Sequence, residues 1–536
     1  MKHGHCVLAI SALLGVGLAA CSSPTGTSSG SSGGGGGGAQ IKDGGHLTVA
    51  LAEAPDALDP TTAQTYVGRI VFINMCEKLY DINAQTELVP QLASGMPQIS
   101  DGGKTYTIHL RKNIKFNDGT PFNAQAVKTT LERDINNKRS SRASSLTAID
   151  KVTVVDPSTV KLHLKRPYAP LTSILAARAG MILSPAQLKK LGNDFSDHPV
   201  CVGPFSFDSR PSSDRIELKK SKYYYDKDKV HLDRVTFKVV GQPSVRSTNL
   251  RAGAVDVAGR LQPSDVASLK SNPDVQLKMP VSLGYQGITI NVSNTSGAGK
   301  PSKKPADNPL AKHQQLRQAL ALSLNRQQIN QVVFNGLYKP GCSPISPASP
   351  FFTGVPCPKQ DLAKAKQLVK ASGVKTPIPV TLIVEANNQL ATKLGQVIQN
   401  MAKKAGFDVK VKPTEFTTSL KQSQAGDFET FHIGWSGRVD PDQNIAPFWE
   451  PTSLLNYSGA NYDDVTALMD KARATTDMGQ RKQIYRKLVQ TLNQHLNIIY
   501  LYHEREILGV SGKVAGVHYY ADNLIRLKTA GFTSGG

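Results

Sequence analysis

The stretch HIGWSGRVDPDQNIAPFW has the densest set of side chains that could bind or transform a small molecule. It contains both tryptophans of the chain, Trp435 and Trp449, and between them Arg438, Asp440 and Asp442. An arginine can hold a carboxylate or a phosphate through two parallel hydrogen bonds. A tryptophan face can hold a ring, an aliphatic chain or a cation. These residue types indicate a ligand clamp, or else a polar loop between two core segments.

Motifs of the common enzyme classes are missing from the sequence. There is no H-E-x-x-H, no phosphate-binding P-loop and no G-x-G-x-x-G that opens a helix after a strand. GWSGR breaks the G-x-S-x-G pattern because Arg438 replaces the final glycine. His503, beside two glutamates in YHEREI, indicates a solvated ion pair rather than a general base. We therefore expect no enzyme, no cofactor and no bound metal, and keep a cell-envelope hydrolase as the alternative.

Alternating strand and helix patterns flank this stretch. PVTLIVEA has the pattern of a strand, and NQLATKLGQVIQNMAKKAG follows with apolar residues on one helical face and Gly406 placed to end the helix in a left-handed cap. FDVKVKP then alternates apolar and polar residues, as a half-buried strand does. Repeated units of this kind predict an α/β sheet, and a length of 536 residues predicts two or three lobes.

The N-terminus has the features of a bacterial lipoprotein. MKH is followed by the apolar run CVLAISALLGVGLAA, which ends in LAAC at Cys21 and looks like a lipobox. We expect residues 1–20 to be a signal peptide and Cys21 to carry two or more acyl chains, since one chain anchors weakly. Residues 21–45 are rich in glycine and serine and predict a flexible tether. The protein would then lie on the extracytoplasmic face of the cell membrane; a secreted protein with an incidental Cys21 is the alternative.

The charge balance is strongly basic, with a formal net charge of +22. The lysines and arginines are scattered, with no block of five or more and no recognisable nucleic-acid-binding module. This distribution favours a basic surface that faces an anionic cell envelope. We expect no nucleic-acid partner.

Four cysteines remain once Cys21 and the cysteine of the leader are set aside. An even number outside the cytoplasm indicates disulfides, with three possible connectivities. Cys342 and Cys357 bracket a proline-rich loop, whose closure would contribute about 3 kcal/mol. Cys76 and Cys201 are then the remaining pair. A zinc site is the rival, but no C-x-x-C or nearby histidine spacing favours it.

Several motifs follow one another along the chain in a characteristic order. They are EAPDALDP (residues 53–60), IKFNDGTPFNAQAVKTTLER (114–133), YAPLTSILA (168–176), VGPFSFDSRPSSDRIELKKSKYYYD (202–226), LRAGAVDVAG (250–259) and LRQALALSLNRQQINQVVFNG (316–336). Together they resemble the extracellular solute-binding proteins of family five, the dipeptide-, oligopeptide- and nickel-type receptors of ABC importers. The resemblance runs from about residue 46 to residue 527.

The resemblance implies a two-lobed periplasmic-binding-protein-like fold (type II, cluster C) that closes on its ligand by hinge motion. Lobe one would comprise residues 46–283 and 505–536, with an extra subdomain inserted at about 81–194, and lobe two residues 284–504. It would place both cysteines of the remaining pair in lobe one. The protein would be a monomer that captures a peptide or similar small polar solute and delivers it to the permease subunits of an ABC importer.

The resemblance also assigns a role to the tryptophan stretch. In peptide-binding relatives the segment reads W-x-x-D-Y-x-D-P, and the aspartate three residues after the tryptophan pairs with the α-ammonium of the peptide. Arg438 holds that position here, which implies that amine-anchored binding is impaired or inverted and that a carboxylate or phosphate is favoured. An opine or a metal chelate that carries carboxylates is the alternative ligand. Alternatively, Arg438 is bonded internally to Asp440 or Asp442.

Further site residues are expected at the edges of the predicted strands. Tyr285 and Gln286 lie at the first crossover between the lobes, and Glu53 follows the first strand, where ligands of α/β sheets bind. Trp449 is expected to pack, and a core role for Trp435 stays open. The predicted ligand-binding residues are Trp435, Ser436, Arg438, Asp440, Tyr285, Gln286 and Glu53.

Overall fold

The computed structural model describes residues 40–534. The predicted signal peptide, the predicted lipid anchor at Cys21 and most of the predicted tether lie outside the described residues. The predicted C-terminal boundary of the tether, residue 45, is wrong, because residues just before it are hydrogen-bonded to the folded body. Lys42 N–H donates to Phe532 O over 2.8 Å, and Gly44 N–H donates to His231 O over 2.7 Å.

Short strands and helices alternate along the described residues. The strands are β1 (His46–Leu51), β2 (Tyr80–Ile82), β3 (Leu88–Pro90), β4 (Gln98–Ser100), β5 (Thr105–His109), β6 (Ile149–Asp156), β7 (Thr159–Leu164), β8 (Phe205–Ser212), β9 (Arg215–Lys220), β10 (Arg234–Val239), β11 (Val257–Leu261), β12 (Val275–Lys278), β13 (Tyr285–Ile290), β14 (Lys339–Pro340), β15 (Ile378–Glu385), β16 (Phe407–Thr414), β17 (Thr430–Trp435), β18 (Ile498–His503), β19 (Ile507–Ser511), β20 (Val514–Ala515), β21 (His518–Tyr519), β22 (Ile525–Arg526) and β23 (Gly531–Phe532). The α-helices are α1 (Tyr66–Met75), α2 (Ala124–Asn136), α3 (Leu171–Ile174), α4 (Pro185–Leu191), α5 (Pro243–Arg251), α6 (Val266–Lys270), α7 (Pro309–Lys312), α8 (Gln314–Ser323), α9 (Arg326–Phe334), α10 (Leu362–Ala371), α11 (Gln389–Lys403), α12 (Phe416–Ala425), α13 (Asp442–Trp449), α14 (Asp463–Ala474) and α15 (Met478–His495).

Two mixed sheets form the centres of two α/β lobes. One sheet has seven strands in the order β12-β19-β11-β1-β10-β9-β8, and the other has six in the order β14-β18-β13-β17-β15-β16. Every strand of the first sheet belongs to the sequence assigned to lobe one, and every strand of the second to lobe two. The antiparallel sheet β4-β5-β7-β6 lies in the predicted inserted subdomain. The predicted two-lobed α/β class is confirmed, while the residue boundaries of the lobes stay a prediction.

The unit β15–α11–β16 explains how local sequence builds lobe two. β15 and β16 pair in parallel from Ile378 opposite Phe407 onward. Helix α11 packs its buried face, which includes Leu394 and Ile398, over these strands. Gly406 has φ +102° and its N–H donates to Lys403 O over 3.1 Å, so the predicted left-handed end of the helix is present.

The chain crosses between the sheets at two adjacent places. β12 ends at Lys278 and β13 begins at Tyr285, while β18 ends at His503 and β19 begins at Ile507. The two crossing segments are bonded to each other, with Ser282 N–H donating to Glu504 O over 2.8 Å. The side chains of these segments therefore lie at the junction of the lobes.

Two disulfides link the four cysteines for which pairing was predicted. Cys76 pairs with Cys201 at a Cα–Cα distance of 4.9 Å, and Cys342 pairs with Cys357 at 5.4 Å. The predicted connectivity is confirmed. Among residues 40–534 no group of histidine, cysteine and acidic side chains is arranged to hold a metal ion. Over the same residues, no helix has the length and hydropathy needed to cross a bilayer.

Candidate functional site

The two lobes contact each other through the predicted inserted subdomain. Tyr168, just before helix α3, donates its hydroxyl hydrogen to Asp442 Oδ2 of lobe two over 3.1 Å. The neighbouring Ala169 N–H donates to Arg473 O over 2.8 Å. A site between the lobes is thus bordered by the crossover segments and by this contact.

A tight passage of the chain positions the tryptophan stretch at the junction. Trp435 ends β17 opposite Tyr285 of β13. Gly437 follows with φ +71°, and a Cβ there would lie 2.2 Å from the carbonyl carbon of Leu283, so only glycine allows this approach. After this turn the Arg438 side chain lies over the Trp435 ring, with the guanidinium carbon 4.9 Å from the ring centre.

Arg438 is held by neutral groups only. Its Nη1 donates to Ser436 Oγ over 3.1 Å and to Gly437 O over 2.6 Å, and its backbone N–H donates to Asn444 Oδ1 over 2.7 Å. Among the described residues no carboxylate oxygen lies within 4.0 Å of its guanidinium nitrogens. Trp435 Nε1 is buried beside it and has no hydrogen-bond acceptor in the described part of the chain. The guanidinium of Arg438 therefore keeps donors available for a bound solute.

The two aspartates of the stretch are used elsewhere. Asp440 is 1% exposed and accepts from Arg481 Nη1 over 2.8 Å and from its Nη2 over 3.0 Å. Asp442 is 4% exposed and accepts from Arg473 Nε over 2.6 Å. Internal pairing of Arg438 with either aspartate is therefore wrong. The structure gives Asp440 a structural partner, and its predicted contact with ligand stays a prediction.

Positive charge accumulates around Arg438. Burial lowers the pKa of Arg438 well below its ordinary range, and the charges of Arg69, Arg178 and Arg142 lower it further. Asp522 acts in the opposite direction. Arginines stay charged in proteins, so this direction means that the folded chain pays an electrostatic penalty at Arg438. A bound anion would offset part of that penalty.

The three other arginines were not found from the sequence. Arg69 lies in helix α1 and is 7% exposed, with no acceptor for its Nη1 among the described residues. Arg142 Nη2 donates to Ala63 O over 3.0 Å, and Arg178 Nη1 donates to Thr65 O over 3.1 Å. The sequence could have indicated Arg69 as a site residue, because it is the one charged residue in the apolar helix YVGRIVFINM. The others lie far away in sequence and had no signal.

An acidic group occupies the crossover side of the site. Burial, followed by repulsion from Glu506, raises the pKa of Glu504 to about 7, while Arg260 and Gln286 oppose that shift. Arg260 lies 3.7 Å from Glu506 and 3.9 Å from Glu53. Two of the predicted site residues, Gln286 and Glu53, thus belong to one cluster in which three carboxylates surround one arginine. Such a cluster favours a cationic group of a solute.

Of two aromatic residues considered from the sequence, Trp449 has its predicted packing role, and the predicted ligand contact of Tyr285 is untested. Trp449 is 1% exposed and its Nε1 donates to Tyr500 Oη over 3.2 Å, so the packing role is confirmed. Tyr285 is 3% exposed and meets the Tyr500 ring edge-on, with its hydroxyl 3.4 Å from Asn444 O. Its predicted lining of a cleft stays a prediction.

His503 is not part of a solvated ion pair, and that expectation is wrong. The side chain is 1% exposed, and Nδ1 lies 2.7 Å from the carbonyl oxygen of Gly284. Burial lowers the pKa of His503 to about 4, so the ring is neutral at pH 7 and Nδ1 donates to that carbonyl. The histidine joins the two crossover segments.

The geometry describes two α/β lobes that meet at a junction rich in unpaired charge, which is the architecture of a solute-binding protein. A family model for the bacterial extracellular solute-binding proteins, family 5 (middle region), matches residues 87–454. The chain belongs to this family. Membership makes it an extracytoplasmic solute-binding protein.

Individual relatives agree with this assignment. The chain is 29% identical over 455 residues to the glutathione-binding protein GsiB of Escherichia coli O157:H7, covering 82% of this chain and 85% of GsiB. The ABC transporter substrate-binding protein CtaP of Listeria monocytogenes has a TM-score of 0.81 at 24% identity and covers 92% of this chain and 100% of its own. AgaA of Agrobacterium tumefaciens R10, solved with agropinic acid, has a TM-score of 0.74 at 25% identity, covering 90% and 96%.

Proposed function

We propose that this protein is the lipid-anchored solute receptor of an ABC importer and has no enzymatic activity. It captures a peptide or similar small polar solute between its lobes, closes by hinge motion and hands the solute unchanged to the permease. The binding energy of the solute favours the closed state, which the permease recognises. Cys21 tethers the monomer to the outer face of the membrane.

One observation carries the proposal: Arg438 projects from the Trp435 turn at the lobe junction, and no carboxylate of residues 40–534 pairs with it. Its neighbours Ser436 and Gly437 supply only neutral acceptors. A partly buried cation without a counter-ion is costly, whereas a charge-assisted hydrogen bond contributes roughly 1.5–3 kcal/mol. A carboxylate of the solute, seated against Arg438 and the Trp435 ring, would supply that bond.

The acidic cluster at the crossover supports a zwitterionic solute. Glu53, Glu504 and Glu506 carry more negative charge than Arg260 can compensate, and this excess suits an ammonium group. A peptide has both an ammonium and a carboxylate, and the relative GsiB is described as glutathione-binding. In this arrangement the amine and carboxylate ends are reversed relative to the mode anchored by an aspartate after the tryptophan.

A carboxylate-bearing solute such as an opine or a metal chelate is the second candidate. It is favoured by the same unpaired Arg438, and the structural relative AgaA was solved with agropinic acid. Peptides and opines differ in the number and spacing of their carboxylates. The two candidates are therefore separated by direct comparison in one titration.

The test combines tryptophan fluorescence with small-angle X-ray scattering of the purified full-length protein. The probes are a peptide pool, opines and nickel chelates. A true solute should reduce the radius of gyration and change the emission of Trp435. Because the chain has only two tryptophans, Trp449→Phe should keep the emission change and Trp435→Phe should lose it.

Either of two results would contradict the proposal. One is a radius of gyration that no probe changes, together with no small molecule retained when the protein is purified from its own membranes. The other is chemical turnover of a bound probe, which mass spectrometry would detect and which would support the hydrolase instead.

A further inference from the structure

Arg69, Arg142, Arg178 and Arg438, here called the arginine cluster, surround one region of the lobe junction. We infer that the arginine cluster is a subsite for the part of the solute that carries two or more carboxylates. The inference rests on the proposed receptor function and specifies the solute class as polycarboxylate, for example an acidic peptide.

Three members of the arginine cluster converge on one short segment of lobe one. Arg142 Nη2 donates to Ala63 O, and Arg178 donates from Nη1 to Thr65 O and from Nη2, over 3.4 Å, to Gln64 O. These carbonyls directly precede helix α1, whose first turns carry Arg69. Three guanidinium groups from distant parts of the sequence are thus gathered at the start of one helix.

The fourth member arrives from the other lobe. Arg438 follows β17 of lobe two, and the charges of Arg69, Arg178 and Arg142 each lower its pKa, which places all three within electrostatic reach. The pKa of Arg178 is shifted in the same direction, by burial and then by the charges of Arg142 and Arg69. Positive charges of lobe one therefore act on Arg438 of lobe two. An anion between them would convert this repulsion into attraction and favour closure of the lobes.

No acidic side chain of the described residues forms an ion pair with the arginine cluster. Asp134 is the acidic group that acts most on Arg142, and burial raises the pKa of Asp134 to about 7. Within residues 40–534, no carboxylate oxygen lies within 4.0 Å of the guanidinium nitrogens of its four members. The nearby Asp522 is occupied by Arg526, with contacts of 2.9 and 2.8 Å. Asp56 is occupied by the backbone N–H groups of Gln64 and Thr65. Other buried arginines of this chain, such as Arg473, do have carboxylate partners.

Two donors in the arginine cluster are buried and lack any acceptor among the described residues. They are Nη1 of Arg69, a side chain that is 7% exposed, and Nε of Arg142. Buried charged donors are normally satisfied, so two unsatisfied donors within a cluster of four positive charges indicate a missing acceptor. Carboxylates fit because each can accept two parallel bonds from one guanidinium. A single carboxylate would leave most of the positive charge uncompensated, and a solute with several would not.

The test is a binding titration of the full-length protein with matched probes. Tryptophan fluorescence reports the binding. The probes are the dipeptides Glu-Glu, Gln-Gln and Lys-Lys, and citrate. We expect Glu-Glu or citrate to bind at least tenfold more tightly than Gln-Gln, and Lys-Lys not to bind. Arg69→Gln should weaken the best acidic probe at least tenfold and reduce its advantage over Gln-Gln, while Arg69→Lys should restore part of the loss.

Arg326→Gln is the matched control. Arg326 is 9% exposed, its Nη1 also lacks an acceptor in the described residues, and its Nε donates to Tyr500 O over 2.8 Å. Its pKa is lowered by burial alone, without a neighbouring arginine. This variant should keep the acidic preference. Thermal unfolding of both variants separates loss of binding from loss of folding.

The inference is overturned if neither acidic probe binds more tightly than Gln-Gln, or if Arg69→Gln, still folded, retains the full preference. Failure of the receptor proposal is distinguishable, because that proposal fails if no solute of any charge is retained or closes the lobes, or if a bound probe is chemically turned over. A receptor that closes on neutral peptides would keep its function and lose only the polycarboxylate subsite.

Discussion

Buried charges in this protein fall into two groups that differ in their partners. Arg473 and Arg481 are paired with Asp442 and Asp440 at 2.6 and 2.8 Å, so each buried cation has a buried anion. Arg142, Arg178 and Arg438 are bonded to backbone carbonyls or a hydroxyl instead, and Arg69 Nη1 has no acceptor among the described residues. Removing one member of a buried pair costs roughly 3–5 kcal/mol, which explains why the pairs serve structure. Other buried arginines, such as Arg326, also lack an acidic partner among the described residues, but no neighbouring arginine acts on Arg326, so the arginine cluster is the group left for a solute.

Asp134 is a buried carboxyl whose charge should limit stability near neutral pH. Burial raises the pKa of Asp134 to about 7, against the lowering effect of its hydrogen bond from Thr61. The folded state therefore binds this proton more tightly than the unfolded state, and its contribution to stability is lost as pH rises from about 4 to about 7. Asp134→Asn keeps an acceptor for Thr61 and cannot ionise.

We expect Asp134→Asn to raise the melting temperature above pH 7 by about 2 °C or more, and to have little effect at pH 4. Differential scanning calorimetry at a series of pH values checks this. Asp150 is exposed, and Asp150→Asn is the control. This variant should not shift the melting temperature above pH 7 or at pH 4. Equal melting temperatures of Asp134→Asn and wild type at pH 8 would show that the pKa of Asp134 is not raised in the folded protein.

At the scale of elements, the turn after β17 decides where the binding side chains point. Gly437 passes so close to Leu283 of the crossover that any Cβ would collide with its backbone. The turn is followed by helix α13, whose Asn444 accepts from the Arg438 backbone and whose Asp442 contacts Tyr168 of the other lobe. One turn thus couples the solute contact to the lobe contact.

Gly437→Ala should be strongly destabilising for this reason. A positive φ alone costs about 1 kcal/mol, and the collision adds about 1–3 kcal/mol, so we expect a loss of about 2–4 kcal/mol in the free energy of unfolding. Urea denaturation measures it. The control is Gly373→Ala, since Gly373 has a similar φ of +70° but no atom within 4 Å of a Cβ. Equal losses for the two variants would argue against the collision.

At the scale of the whole molecule, two α/β lobes, a basic surface and a predicted anchor combine into a device for capture near a membrane. The formal net charge of +22 would draw the body toward an anionic envelope, but electrostatic attraction alone weakens with salt. Covalent acyl chains would hold it irrespective of salt. The predicted anchor at Cys21 therefore decides whether capture occurs beside the permease.

Cys21→Ser should release the protein from the membrane fraction into the periplasm or the medium. Fractionation in 0.5 M salt and immunoblotting, with metabolic labelling by a palmitate analogue, provide the measurement. Cys6→Ser is the control, because Cys6 lies in the predicted leader and would be removed. Retention of Cys21→Ser in washed membranes would contradict lipidation at this residue.

The sequence by itself determined the features that local periodicity and motif order encode. Apolar spacing predicted β15, α11 and β16, and the ordered motifs predicted the two-lobed fold and its family. Cysteine count and loop length predicted both disulfides. Most of these succeeded because they depend on residues close in the chain or on patterns repeated along it. The Cys76–Cys201 pair, 125 residues apart, followed only as the remainder.

Only the tertiary structure decided which charges are free. Sequence could not tell whether Arg438 pairs with Asp440 or Asp442, because their true partners, Arg481 and Arg473, come from helices α15 and α14 further along the chain. Nor could it gather Arg69, Arg142 and Arg178 beside Arg438, since chain separation says nothing of distance once lobes fold against each other. Electrostatic interaction depends on distance and burial, and both are set by the fold.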